Sequence, residues 1–148
     1  MAAISRAEAT WRGDLPSGSG VVSGRSSQVF DDLGVSWKAR TESPGGGNTT
    51  PEELLAASHA SCFAMALSAG LGKAGTPPQR LDVSSEVTFD QVEGGWVVSS
   101  SALKVRGSVP GIDESAFRQA AEAAKDGCPI SKALQGNVQL SVEATLDG

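Results

Sequence analysis

The sequence contains no tyrosine, a single histidine, two cysteines and two methionines, and aromatic residues make up only 5% of its 148 positions. Any core must therefore be built from Val, Leu and Ala. One His with two Cys makes a poor zinc set, so no metal is expected, and no organic cofactor is needed. An excess of basic residues is also missing: 12 Lys and Arg face 17 Asp and Glu, for a net charge of -5 and a pI near 4.8. That balance argues against nucleic acid or an anionic membrane as partner. The first fourteen residues have no apolar run and no cleavage pattern, so no secretion signal is expected and the location read from them is cytoplasmic. Two cysteines in such a chain point to chemistry rather than to a structural staple.

What is present suits one domain, residues 1–148, large enough to bury a core without metals or disulfides. Leu54 to Leu71 carries no charged residue and touches the lower length limit of a membrane span. It is rich in Ala, Ser and Gly, contains His59, and lacks flanking Lys/Arg bias and an aromatic belt, so a buried helix of a soluble protein is the expected form. Short strands are expected over Ile4–Trp11, Gly20–Val22, Gln28–Phe30 and Val35–Arg40, with Asp31 to Gly34 as a hairpin connection and Pro44 to Asn48 as a flexible loop.

Thr50-Pro51-Glu52-Glu53 is the clearest local signal. Thr50 suits an N-cap, Pro51 the first helical position, and Glu53 the reciprocal place of a capping box. The helix should run from Pro51 to about Lys73, ended by Gly75 and blocked by Pro77-Pro78. It is apolar nearly all round and should be wrapped by other elements. Leu81, Val83, Val87 and Phe89 alternate with polar residues, and Trp96–Arg106 follows Gly94-Gly95, which predicts a hairpin. Asp113 caps a helix ending near Gly127, Cys128-Pro129 opens a shorter one, and Val138–Leu146 reads as a last strand. Strands, long helix, strands, helices and strand in that order mean α+β.

Cys62 lies eleven residues into the long helix. By position alone it favours a small buried hydrophobe, and a reactive thiolate there would need a cation brought from elsewhere. Cys128, at a loop-to-helix junction with Pro129 at the first helical position, is placed where backbone N–H groups lower a thiol pKa. His59 shares a helix face with Cys62. A hydrogen-bonded core histidine is the favoured reading, and a Cys-His hydrolase pair the alternative. With Glu53 engaged in the cap, Glu52 is left to pair with a cation. About 15 Å of helical rise separates it from Cys62, so the two can share a site only if two copies of the helix run antiparallel.

Taken together, Trp11-Arg12-Gly13-Asp14, the block from Pro51-Glu52-Glu53-Leu54 to His59-Ala60-Ser61-Cys62-Phe63, Val109-Pro110-Gly111-Ile112-Asp113 and Gly127-Cys128-Pro129-Ile130-Ser131 resemble the OsmC/Ohr family, the osmotically inducible and organic hydroperoxide resistance proteins. His59 and the Val-Pro-Gly-Ile-Asp segment resemble the OsmC branch more than the Ohr branch. The resemblance implies an intertwined homodimer with strands wrapped around long central helices, and a thiol peroxidase acting on organic hydroperoxides. Cys62 would be the peroxidatic thiol and Cys128 the resolving one, re-reduced by an external dithiol. The family's Arg-Glu pair maps to Glu52 and, by its place before the glycine loop, to Arg40, with Arg25 in reserve. A non-catalytic module for an apolar ligand remains the other alternative.

Overall fold

The computed structural model describes residues 1–148. Its contacts divide the chain into two compact units, Met1–Leu54 and Leu55–Gly148. The boundary falls inside one helix.

The first unit holds a four-stranded sheet in the order β1 (Ala7–Arg12), β2 (Ser19–Gly24), β3 (Leu33–Val35), β4 (Asn48–Thr49). β1 pairs antiparallel with β2 and β2 with β3, whereas β3 and β4 run parallel. Two of the expected strands are not strands. Gln28–Phe30 is irregular, with Gln28 at a φ of 59°. Residues 35–40 divide between the end of β3 and a short helix, α1 (Trp37–Thr41). The Val-Ser-Trp-Lys-Ala-Arg alternation imitates period two, but Ser36 acts as a helix cap: its Oγ accepts from the Ala39 N–H at 3.1 Å. Arg40 therefore stands on the last turn of a helix rather than at a strand end. The glycine loop is confirmed over residues 44–47, with Gly46 and Gly47 at positive φ, but Asn48 already belongs to β4.

The long helix, α2 (Pro51–Lys73), has the expected bounds. The Glu53 N–H donates to Thr50 Oγ1 at 3.0 Å, which is the cap read from the sequence. The return half differs, because the Glu53 carboxylate is taken by the Thr49 hydroxyl. At the other end Gly75, at a φ of 86°, permits the Thr76 N–H to reach Leu71 C=O at 2.9 Å and its own N–H to reach Gly72 C=O at 3.1 Å.

In the second unit β5 (Arg80–Val92) and β6 (Gly95–Ser108) form the expected hairpin, with an irregularity at Thr88/Phe89. Phe89 stacks on Trp96 with ring centroids 4.8 Å apart. α3 (Glu114–Gly127) and α4 (Pro129–Leu134) lead to β7 (Gln139–Leu146), which pairs parallel with β6. Asp113 caps α3 by accepting from the Ala116 N–H at 2.8 Å. α3 turns Phe117, Ala121 and Ala124 inward against Leu103 and Val105 of β6 and against Phe63, Leu67 and Leu71 of α2. Gly107 makes this packing possible: a Cβ there would lie 2.5 Å from the Phe117 ring.

α2 is long and apolar enough to cross a membrane by length and composition, yet it buries one stripe, His59, Phe63, Leu67 and Leu71, at four-residue spacing in this core. The opposite face, with Ala57, Ser61, Met65 and Ala69, is exposed, Met65 at 71%. The complete wrapping expected of an all-round apolar helix is thus not supplied by its own chain.

Candidate active site

In the first unit, the Arg40 guanidinium grips the Glu52 carboxylate with two nitrogens. Its Nε donates at 3.0 and 3.1 Å to the two oxygens and its Nη2 at 2.7 Å. α1 carries the arginine and the first turn of α2 the glutamate, whose side chain is only 8% exposed. A charge-assisted fork of this kind fixes the plane of the guanidinium. Arg25 is engaged elsewhere, on the exposed sheet, with Glu8 at 2.6 Å and Asp31 at 3.1 Å.

The second unit brings the two cysteines together. Cys128 terminates α3, its N–H donating to Ala124 C=O at 2.8 Å, and its extended backbone caps α4 with Pro129 in the next position. Cys62 packs from α2 against the same core. Their sulfurs, 66 residues apart in sequence, stand 2.9 Å apart, and both are free thiols. Cys62 is half-buried and Cys128 fully buried. Cys62 is therefore the more accessible of the two residues.

The surroundings polarise the pair in opposite directions. Burial pushes the Cys62 thiol up and its hydrogen bond with Cys128 pushes it further, with the Ile130 backbone N–H pulling the other way. At Cys128 burial also pushes upward, but it is outweighed by the hydrogen bond with Cys62, by the backbone and side chain of Ser131 and by the Ile130 N–H, so this thiol lies below its ordinary value. The hydrogen bond with Cys62 is the largest of the lowering influences on Cys128, ahead of the backbone at the start of α4. Cys62 is not made acidic by what surrounds it in this unit.

His59 is a hydrogen-bonded core residue. Its Nδ1 lies 2.6 Å from Ser101 Oγ and its Nε2 2.8 Å from Ser131 Oγ, and Ser101 Oγ in turn lies 3.0 Å from Ser85 Oγ. Both ring nitrogens are thus occupied by hydroxyls, which removes His59 as a base for Cys62. Sequence reasoning did not assign these serines. Ser101 is one of three consecutive serines in β6 and nothing in its spacing sets it apart. Ser131 sits three residues after Cys128, the one signal that could have drawn attention to it.

Burial also pushes the His59 imidazole below its ordinary 6.5. The unfolded chain then binds the proton more readily than the folded one, so the contribution to stability is complete above about pH 6.5 and is lost as pH falls through the lower folded value. The unfolding midpoint should drop on acidification from pH 7.5 to 5.5, and His59→Gln should flatten that part of the profile. An unchanged slope in the variant would contradict the assignment.

Residues 44–143 match the model of the family described as OsmC-like protein. Over 143 residues, 97% of this chain and 98% of the relative, the chain is 39% identical to peroxiredoxin OsmC of Escherichia coli (strain K12). The chain belongs to the OsmC family. It is also 31% identical, over 66% of its length and 68% of the relative's, to an organic hydroperoxide resistance protein of Xanthomonas axonopodis pv. citri (strain 306). Among solved structures, the OsmC fold of this chain matches the organic hydroperoxide resistance protein OhrB of Bacillus subtilis with a TM-score of 0.72 at 25% identity, over 95% of this chain and 98% of that one. An organic hydroperoxide resistance protein from Elizabethkingia anophelis matches with a TM-score of 0.73 at 22% identity, over 99% and 100%. The α+β, OsmC-like architecture read from the sequence is therefore the architecture of the chain.

Proposed function

We propose that this OsmC-family chain is a thiol-dependent peroxidase that reduces organic hydroperoxides to alcohols. The observation that carries the reading is the meeting of its only two cysteines, a reachable Cys62 against a buried, helix-capping Cys128 at 2.9 Å. The names of its relatives, peroxiredoxin OsmC and organic hydroperoxide resistance protein, support it.

In this mechanism the Cys62 thiolate attacks one peroxide oxygen. The O–O bond breaks, the sulfur becomes a sulfenic acid, and the departing alkoxide takes a proton to leave as the alcohol. Cys128 then attacks the Cys62 sulfur, the S–O bond breaks, and hydroxide leaves with a proton as water. The resulting Cys62–Cys128 disulfide is reduced by an external dithiol, which is itself oxidised. Because its own unit leaves Cys62 protonated, the mechanism requires a cation, and we assign that role to Arg40 held by Glu52. The arginine also donates hydrogen bonds to the peroxide. The exposed uncharged face of α2 supports an antiparallel homodimer in which one protomer's Arg40–Glu52 pair serves its partner's Cys62. Residues 1–148 would then act as one OsmC/Ohr-like domain of a soluble, cytoplasmic enzyme. Met65 and Ala66, one turn beyond Cys62 on the same helix and less buried than the core stripe, favour alkyl or lipid hydroperoxides over hydrogen peroxide.

Treating the reduced protein with cumene hydroperoxide should remove two thiols per chain and yield a Cys62–Cys128 disulfide in peptide mass spectra. Thiols that survive an excess of the peroxide would overturn the reading in favour of an apolar-ligand module.

A further inference from the structure

The Cys62 and Cys128 sulfurs form a donor pair whose chemistry does not depend on peroxide. Both are free thiols, 2.9 Å apart, and each is fixed by a different element: Cys62 by α2, and Cys128 by the junction where α3 ends and α4 begins. Folding has already closed the 66-residue separation between them, so a group that bonds one sulfur finds the second in place. Within the chain no third ligand stands beside them. His59, one turn before Cys62, has Nδ1 on Ser101 Oγ and Nε2 on Ser131 Oγ, and no three His, Cys, Asp or Glu side chains are grouped to hold a metal ion. The donor set is two soft sulfurs, and their spacing selects among soft centres. With bonds of about 2.3 Å to sulfur, as in zinc thiolates, a linear centre spreads its sulfurs by about 4.6 Å and a tetrahedral one by about 3.8 Å. A pyramidal centre with bond angles of about 90° needs only about 3.3 Å at the same bond length. Two sulfurs at 2.9 Å come nearest to the last. Trivalent arsenic has that geometry, because a lone pair fills its fourth position.

We propose that the Cys62–Cys128 pair is a binding site for trivalent arsenicals, which it captures by bonding arsenic through both sulfurs. The more accessible Cys62 bonds first, and the buried Cys128 closes the ring from behind. With an organoarsenic(III) oxide, the two S–H bonds and the arsenic–oxygen bond break and two S–As bonds form. The oxygen leaves with both protons as water. Arsenic stays trivalent and neither sulfur is oxidised, so no oxidant or reductant takes part. Capture needs no hydroperoxide, and an occupied pair has no free thiol left for one.

The test mixes the full reduced chain with phenylarsine oxide. One phenylarsenic group should be bound per chain with the loss of both titratable thiols, and peptide mass spectra should show it joining the Cys62 and Cys128 peptides. The adduct should survive an excess of glutathione, a monothiol, and be released by dimercaptopropanol, a dithiol. Cys62→Ser and Cys128→Ser should each retain the arsenical at least about a hundredfold more weakly, because one of two tethered bonds is gone. Zinc ions at the same concentration should shield neither thiol. Retention by Cys128→Ser equal to the parent's would show attachment through one sulfur and overturn the inference, as would zinc shielding as complete as that by arsenic. Circular dichroism checks that each variant is folded, and the joined peptides of the parent keep the test decisive if a variant is not. A parent chain that takes the arsenical while its thiols resist cumene hydroperoxide would sink the peroxidase reading and leave this site standing.

Discussion

Cys62→Ser should lower hydroperoxide consumption in the presence of dithiothreitol by more than about a thousandfold, to the background of the reductant alone. Oxygen-atom transfer needs a sulfur that can become a sulfenic acid, and a serine hydroxyl cannot. Cys128 cannot take over, because it is fully buried while Cys62 is partly exposed. Acidity alone would have suggested the reverse order, since the surroundings lower Cys128 and raise Cys62. Access decides. Cys128→Ser should accordingly keep one rapid oxidation per chain and then stall, with Cys62 carried on to the sulfinic acid in mass spectra. A Cys62→Ser protein that still turns over would end the assignment of roles.

Arg40→Met should reduce the second-order rate with cumene hydroperoxide by about a hundredfold or more. An ordinary thiol is only about a few per cent ionised at neutral pH, and Cys62 starts from a less favourable place because burial and Cys128 both push it up. In the proposed dimer the partner's guanidinium would offset this and bind the peroxide oxygen as well. Arg40→Lys should recover little, since an ammonium cannot hold Glu52 through the two-nitrogen contact seen here. The same variant tests the dimer. When Cys62→Ser and Arg40→Met chains are co-expressed, random pairing makes half the dimers mixed. If the arginine comes from the partner, each mixed dimer holds one intact site, and about a quarter of full activity returns. No recovery would place the arginine in the same chain as its cysteine and refute the shared site.

Several elements were legible because a local rule sufficed. Thr50 and Pro51 announced α2, Gly75 its end, Asp113 the start of α3, and the alternation from Leu81 to Phe89 a strand with one inward face. The resemblance points to Arg40 as the partner of Glu52, with Arg25 in reserve, and the pairing holds although the segment of Arg40 reads as a strand. The glycine-rich loop before α2 did not disturb the pairing, while Ser36 turned the arginine's own segment into a helix. The return half of the α2 cap could not be read, because Thr49 and Thr50 compete for one carboxylate and sequence does not rank them.

By itself the sequence determined the order of elements from α2 onward, because caps, turns and alternation are short-range, and its motifs determined the resemblance to the family, which pointed to Cys62, Cys128, Glu52 and an arginine. Only the tertiary structure decided which groups meet: Arg40 rather than Arg25 on Glu52, Cys62 beside Cys128, and His59 turned away from Cys62 toward two serines. The reason is physical. Partners 12, 42, 66 or 72 residues apart are chosen by how strands and helices pack, and the acidity of a thiol depends on that packing, which no local pattern encodes.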